Sequence, residues 1–222
     1  MEELSNELEQ SKYCYQNTKT LINKKNIKNH DRLIEIENGI TAFKLSKLYL
    51  NDIPYKQTFD IYHYLSIHEY LFGDLYPFAG TIRDENIYKS NEPYKSGKTP
   101  FCEIPFIVRN LKYTLEEMKQ NVVKIKDKET LGAYLGKYYL DLNMIHPFRE
   151  GNGRTLREFL REYVIVINKI LKTNYYLDYN LSKKTKKQLL KASILDDEEL
   201  ASKVFSKIIK TEEERKIKKW KK

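Results

Sequence analysis

The chain has 222 residues, of which 41% are hydrophobic and 32% charged, with only 8 Gly and 6 Pro. That composition excludes a collagenous, low-complexity or disulfide-stapled protein and points to one folded domain, mostly helical, with its own core. The net charge of +9 comes mainly from lysines scattered along the chain. Scattered lysines do not make the basic stripe of a DNA-reading helix, so nucleic acid is not the expected partner.

The two cysteines, Cys14 and Cys102, sit far apart and outside any metal-binding or CxxC spacing, which favours a reducing compartment. No apolar run approaches the length of a membrane span, and the N-terminus MEELSNELEQSK is acidic where a secretion signal would be basic. A soluble, cytoplasmic protein is expected.

In chain order, apolar residues at helical spacing (Leu33, Ile36, Ile40, Phe43, Leu45, Leu48) predict a first helix, with Asn29 or Asp31 as its cap. Ile61, Leu65, His68, Leu71 and Phe72 predict a second, ended at Gly73 and Asp74. Residues 81–89 (TIRDENIYK) alternate and run into the turn-rich SNEPYKSGKTP, which predicts a β-hairpin. Helical periodicity resumes over 104–123, over 128–145, and after Gly153 through 170. Two shorter helices follow Leu181 and Asp196, and the charged tail from about 211 to 222 is expected to fray. His30 is placed in a loop, and His63 and His68 on a helix without a functional role.

The stretch from Met144 to Leu160, MIHPFREGNGRTLREFL, breaks this pattern. Pro147 disfavours helix for the residue before it, so His146 must end a helix or sit in a turn. Gly151 and Gly153 allow a ligand to approach the main chain closely. The helix that follows aims unpaired N–H groups and its positive end at whatever lies above the turn, which makes an anion site. Arg154 and Arg157, three apart, add two guanidinium forks on one face. Glu150 is placed as an oxygen ligand for a divalent cation bridging two phosphates. Each piece alone is a common loop or helix feature. Their conjunction within twelve residues points to phosphate transfer, with His146 as base.

This string, His146-Pro-Phe148-Arg-Glu150-Gly151-Asn152-Gly153-Arg154-Thr-Leu-Arg157, resembles the Fic family signature HxFx(D/E)GNGRxxR without departure. YCYQNTKTLINKKNIKN and IHEYLFGDLYPFAGTIRDENIYKS resemble the segments that precede it in Fic domains of bacterial toxins and effectors, so the likeness covers roughly residues 13 to 200. The resemblance implies an all-α fold with a small β-hairpin flap, and transfer of AMP from ATP, with Mg2+, to a Ser, Thr or Tyr hydroxyl of a target protein. It implies His146 as base, Glu150 on Mg2+, Asn152 and Gly153 (with Gly151) cradling the α- and β-phosphates, Arg154 on the β-phosphate and Arg157 on the γ-phosphate. Phe148 would be the buried anchor. In the flap, Lys89 and Ser90 would approach the nucleotide, and Phe101 and Ile104 the target. Gly-Asn-Gly favours AMP transfer over kinase activity, with phosphocholine or UMP transfer, or partner docking, as the alternative.

Many Fic proteins carry an inhibitory helix with the pattern (S/T)xxxE(G/N). Here Glu37-Asn38 has the ending but Leu33 stands at the Ser/Thr position, Ser5 and Glu9 are followed by Gln10, and Thr81 with Glu85-Asn86 falls in the hairpin. A small helical antitoxin carrying SxxxEG is therefore an expected partner, anchored on Arg157. Should the chain be an effector, it would act in another cell's cytosol.

Overall fold

Most helix starts among the described residues are written in side chains that satisfy first-turn donors. Asn29 accepts from the Arg32 N–H at 2.9 Å, Asp60 from the His63 N–H at 3.0 Å, and Asp127 from the Thr130 N–H at 2.8 Å. The computed structural model describes residues 11–211 together with 213 and 214. The acidic N-terminus with Ser5 and Glu9, and most of the charged tail, lie outside the described residues.

The caps open α1 (His30–Tyr49), α2 (Ile61–Phe72) and α4 (Lys128–Ile145), with α3 (Ile104–Asn121) between the last two. His30 is thus the first residue of a helix and not part of a loop, because Asn29 takes the capping position. α5 (Asn152–Leu171), α6 (Lys183–Leu195) and α7 (Glu198–Ile208) complete the helical set. Among the described residues the fold is all-α apart from two short antiparallel strand pairs and one isolated bridge, Cys14 with Leu21.

The predicted hairpin is present but much shorter than the alternation suggested. β1 (Tyr88–Ser90) pairs with β2 (Lys98–Pro100), Lys89 opposite Thr99. Residues 81–87 are not strand: the main chain of Arg83 bonds the Pro147 carbonyl at 2.8 Å, so this stretch serves as a tether. Thr81, Glu85 and Asn86 accordingly lie before the hairpin rather than in it. Ile104 is the first residue of α3 and lies outside the flap, because Pro105 is favoured in a first helical turn. A second pair, β3 (Tyr175–Leu177) with β4 (Ile209–Thr211), has no counterpart in the sequence reading. Three-residue strands are too short to show a period of two.

One contiguous cluster of buried side chains fills the interior. α4 runs through it, with Leu131, Leu135, Tyr138 and Leu142 almost wholly enclosed. α7 lies against α4 at Gly132 and Gly136, where backbone meets backbone: a Cβ at Gly136 would stand 2.7 Å from the Ser202 nitrogen. Gly136→Ala gains roughly 1 kcal/mol of helix propensity but forces an overpacking cost of about 1–3 kcal/mol against main-chain atoms that cannot swing aside. The variant should therefore be net destabilised in urea denaturation. An unchanged or raised midpoint would contradict this close approach.

Candidate active site

α4 ends at Ile145, and His146 turns into the left-handed region, φ 46° and ψ 61°, ahead of Pro147. Its N–H still reaches the Leu142 carbonyl at 3.2 Å. The ring is fixed by two contacts. Nδ1 lies 3.0 Å from the Asn143 carbonyl, which only accepts, so Nδ1 carries the proton and Nε2 keeps the lone pair. Phe101 stacks on the ring at 3.7 Å between centroids and 15° between planes. Burial pushes the imidazole down to about 4, opposed by the Asn143 bond and reinforced by the Arg83 and Lys89 charges. At neutral pH it is a neutral base of defined tautomer.

The loop after it is held from inside. Phe148 is fully buried, stacked on His68 at 3.7 Å and on Tyr64 at 5.9 Å. The Asn152 side chain accepts from the Phe148 N–H at 2.9 Å and donates to the Phe148 carbonyl at 2.7 Å. That amide is therefore occupied, and what Asn152 can offer a ligand is its main-chain N–H. Gly151 has φ +83°, and a Cβ there would stand 2.4 Å from the Phe72 ring, so only glycine fits. The N–H groups of Asn152 and Gly153 belong to the first turn of α5, where no helical carbonyl is available to them. They form an anion-binding end.

The two motif arginines are in different electrostatic states. Arg154 forms a close ion pair with Glu37 of α1, lies 3.5 Å from Glu150, and stacks over Phe72 at 4.7 Å. The other oxygen of Glu37 accepts from the Tyr76 hydroxyl. Arg157 has no carboxylate within salt-bridge range among the described residues, and its guanidinium lies beside Gly153, where a Cβ would be 3.2 Å from one of its nitrogens. Glu37, whose Glu-Asn ending was noted in the sequence, thus contacts the first motif arginine rather than the second.

Glu150 accepts from the Gly151 N–H at 2.8 Å and is 45% exposed. No group of three or more His, Cys, Asp or Glu able to hold a metal occurs among the described residues. A single accessible carboxylate suits Mg2+, which takes one or two carboxylates and completes its shell with phosphates and water. Lys89 is half-buried in β1, its ammonium lowered by burial. Ser90 is exposed, its hydroxyl accepting from the Glu92 N–H at 3.4 Å. Phe101, Met144 and Ile145 wall a groove of about 630 Å³ that reaches the Lys137–Asp141 pair.

Two residues of the site escaped sequence reasoning. Arg83, 1% exposed, donates to the carbonyls of His146, Glu85 and Cys102, tying the arm before the hairpin to the turn at His146. His68 accepts from the Gly80 N–H at 2.8 Å and donates from Nε2 to the Glu150 carbonyl at 2.9 Å. It is a strut of the loop rather than an idle helical residue. A buried position of α2 reads as apolar in periodicity, so the only signal was a polar side chain on an apolar face.

A family model described as Fic/DOC family matches residues 58–164. Among curated relatives, protein adenylyltransferase VbhT of Bartonella schoenbuchensis is 33% identical over 148 residues, which is 67% of this chain and 29% of VbhT. Probable protein adenylyltransferase y4lH of Sinorhizobium fredii is 30% identical over 149 residues, 66% of this chain and 71% of y4lH. The chain thus spans under a third of the length of VbhT and most of y4lH. Among solved structures, the N-terminal Fic domain of a putative cell filamentation protein from Bartonella quintana, with bound ADP, aligns at a TM-score of 0.74 and 25% identity, covering 90% of this chain and 94% of that one.

His68 and His146 are both pushed down to about 4 by burial. The unfolded chain, with imidazoles near 6.5, binds more protons than the folded one below that pH. Stability is therefore full above about pH 6.5 and is lost as pH falls toward 4, by up to roughly 3 kcal/mol per group. Urea midpoints measured from pH 7 to 4.5 should fall steadily, and less steeply in His68→Gln. A flat wild-type profile would contradict the buried neutral state.

Proposed function

The chain belongs to the Fic/DOC family, and on that premise we propose that it is a protein adenylyltransferase, moving AMP from ATP to a Ser, Thr or Tyr hydroxyl of a target protein. The observation that carries this reading is the pairing of a tautomer-fixed base, His146, with the open N-terminus of α5 across the Gly151 turn.

Nε2 of His146 takes the proton from the target hydroxyl as the oxygen attacks the α-phosphorus. The bond from that phosphorus to the bridging oxygen breaks, and pyrophosphate leaves. The main-chain N–H groups of Asn152 and Gly153 hold the phosphates, with Arg154 on the β-phosphate and Arg157 on the γ-phosphate. Mg2+, held by Glu150, would neutralise phosphate charge. Lys89 and Ser90 close over the nucleotide from the flap, and Phe101 keeps the imidazole plane fixed on the target side. The names of VbhT and y4lH, and the ADP in the Bartonella quintana domain, support the nucleotide part of this reading.

Arg157, without a carboxylate of its own among the described residues, is the position at which a glutamate from a separate helical antitoxin would exclude the γ-phosphate. The protein acts in the cytoplasm, its own or that of a recipient cell; no helix among the described residues is long and apolar enough to cross a membrane.

His146→Ala should lower transfer of labelled AMP to protein bands by about 10²–10⁴-fold, the usual contribution of a general base, while ATP affinity measured by calorimetry stays close to wild type. Equal labelling by both proteins would remove His146 from the mechanism. Arg157→Ala should weaken ATP binding by roughly 10–100-fold, the worth of charge-assisted hydrogen bonds, and leave ADP binding nearly unchanged. Equal losses for ATP and ADP would place Arg157 away from the terminal phosphate.

A further inference from the structure

A strongly charged surface that this chemistry leaves unused lies between the flap tip and α6. The flap tip, residues 91–97, is caged by Asn91, whose side chain donates to the Ser96 carbonyl at 3.2 Å and accepts from the Thr99 hydroxyl at 2.7 Å. From this tip Tyr94 reaches across and donates its hydroxyl to the Lys187 carbonyl at 3.1 Å. The groove beside that contact, about 450 Å³, is lined by Tyr94, Lys183, Lys184, Lys187, Gln188 and Lys191.

All four lysines are exposed, and none has a carboxylate within salt-bridge range among the described residues. α6 itself, KKTKKQLLKASIL, contains no acidic residue. Lys183 and Lys184 stand in its first turn, where the positive end of the helix dipole disfavours cations by about 0.3–1 kcal/mol each. A basic face kept against that cost, with no internal partner, is built for an external anion.

The spacing narrows the choice. Lys183, Lys187 and Lys191 stand four apart, so they rise along one face of α6 in steps of about 6 Å. An extended polypeptide presents same-side residues every second position, about 6.8 Å apart. The flap tip meets this row at its middle lysine, where Tyr94 bonds the Lys187 carbonyl, so a target segment laid along the hairpin as an added strand and continued past Tyr94 comes within reach of the lysines. We propose that this groove docks an extended, acidic segment of the protein target, with carboxylates at alternate positions. Docking there carries the hydroxyl-bearing residue toward His146. The assignment of that segment to the target rests on the adenylyltransferase reading. Nucleic acid fits less well, because the lining has no arginine to grip phosphate in two places.

The test uses the full chain and a short fluorescein-labelled peptide with Glu at alternate positions. A peptide with Gln in those places and a single-stranded oligonucleotide are the comparison probes. By anisotropy the Glu peptide should bind about tenfold more tightly than the Gln peptide, the sum expected of three exposed ion pairs. The advantage should vanish in the triple variant Lys183→Glu, Lys187→Glu, Lys191→Glu and shrink in the corresponding Gln variant, with melting temperature and ATP affinity unchanged in both. Equal binding of the two peptides, equal binding by wild type and the Glu variant, or tighter binding of the oligonucleotide than of the Glu peptide would overturn the proposal. The readout does not depend on transfer. If the peptide binds as expected while the wild type labels no protein from ATP, the adenylyltransferase reading fails and the groove stands. If labelling of a substrate carrying the acidic segment is equal in wild type and Glu variant, the groove fails and the chemistry stands.

Discussion

Both main-chain groups of Phe148 are held by the one side chain of Asn152, and the geometry of the active turn follows from that clamp. A loop of Pro, Phe, Arg, Glu and Gly between two long helices would otherwise sample many backbone states. The clamp closes a small ring around Phe148, and the His68 ring seals its buried face at 3.7 Å. With Phe148 immobile, Gly151 is pinned against Phe72 and the first turn of α5 faces a constant direction. The donors at that helix end are therefore in place before any anion arrives, which is the condition for electrostatic stabilisation without reorganisation.

The clamp also separates the two arginines into distinct roles. Arg154 leans back toward α1, where Glu37, held in turn by Tyr76, balances its charge. Arg157, nearly one turn further along, lies beside Gly153 and has no carboxylate within salt-bridge range among the described residues. A triphosphate bound as proposed would compete with Glu37 at the first position and with no carboxylate of the described residues at the second. The two guanidiniums, alike in the linear motif, therefore differ in what binding must displace.

Most helices were legible because their signals are local. Asn29 and Asp60 each act on a donor three residues away, and Pro147 acts on its own neighbour. The motif was legible for the same reason, since twelve consecutive residues contain it. What could not be read depends on partners distant in sequence. Glu37 meets Arg154 across 117 positions, and His68 meets Glu150 across 82. The alternation in residues 81–89 suggested a strand, but the Arg83 side chain is spent on three carbonyls, and pairing begins only at Tyr88. Ile104 looked like flap because it follows the hairpin closely, yet Pro105 makes it the start of a helix.

α7 and β4 lace the end of the described fold back onto its centre. α7 lies on α4 where Gly132 and Gly136 leave no room for side chains, and β4 zips onto β3, just beyond α5. The two helices that flank the turn from His146 to Gly151 are thus braced by a stretch made after both of them. While the chain is still being synthesised, α4 and α5 have no such brace until residues 198–211 have left the ribosome. Rigid assembly of the turn between them therefore waits on a segment synthesised well after it.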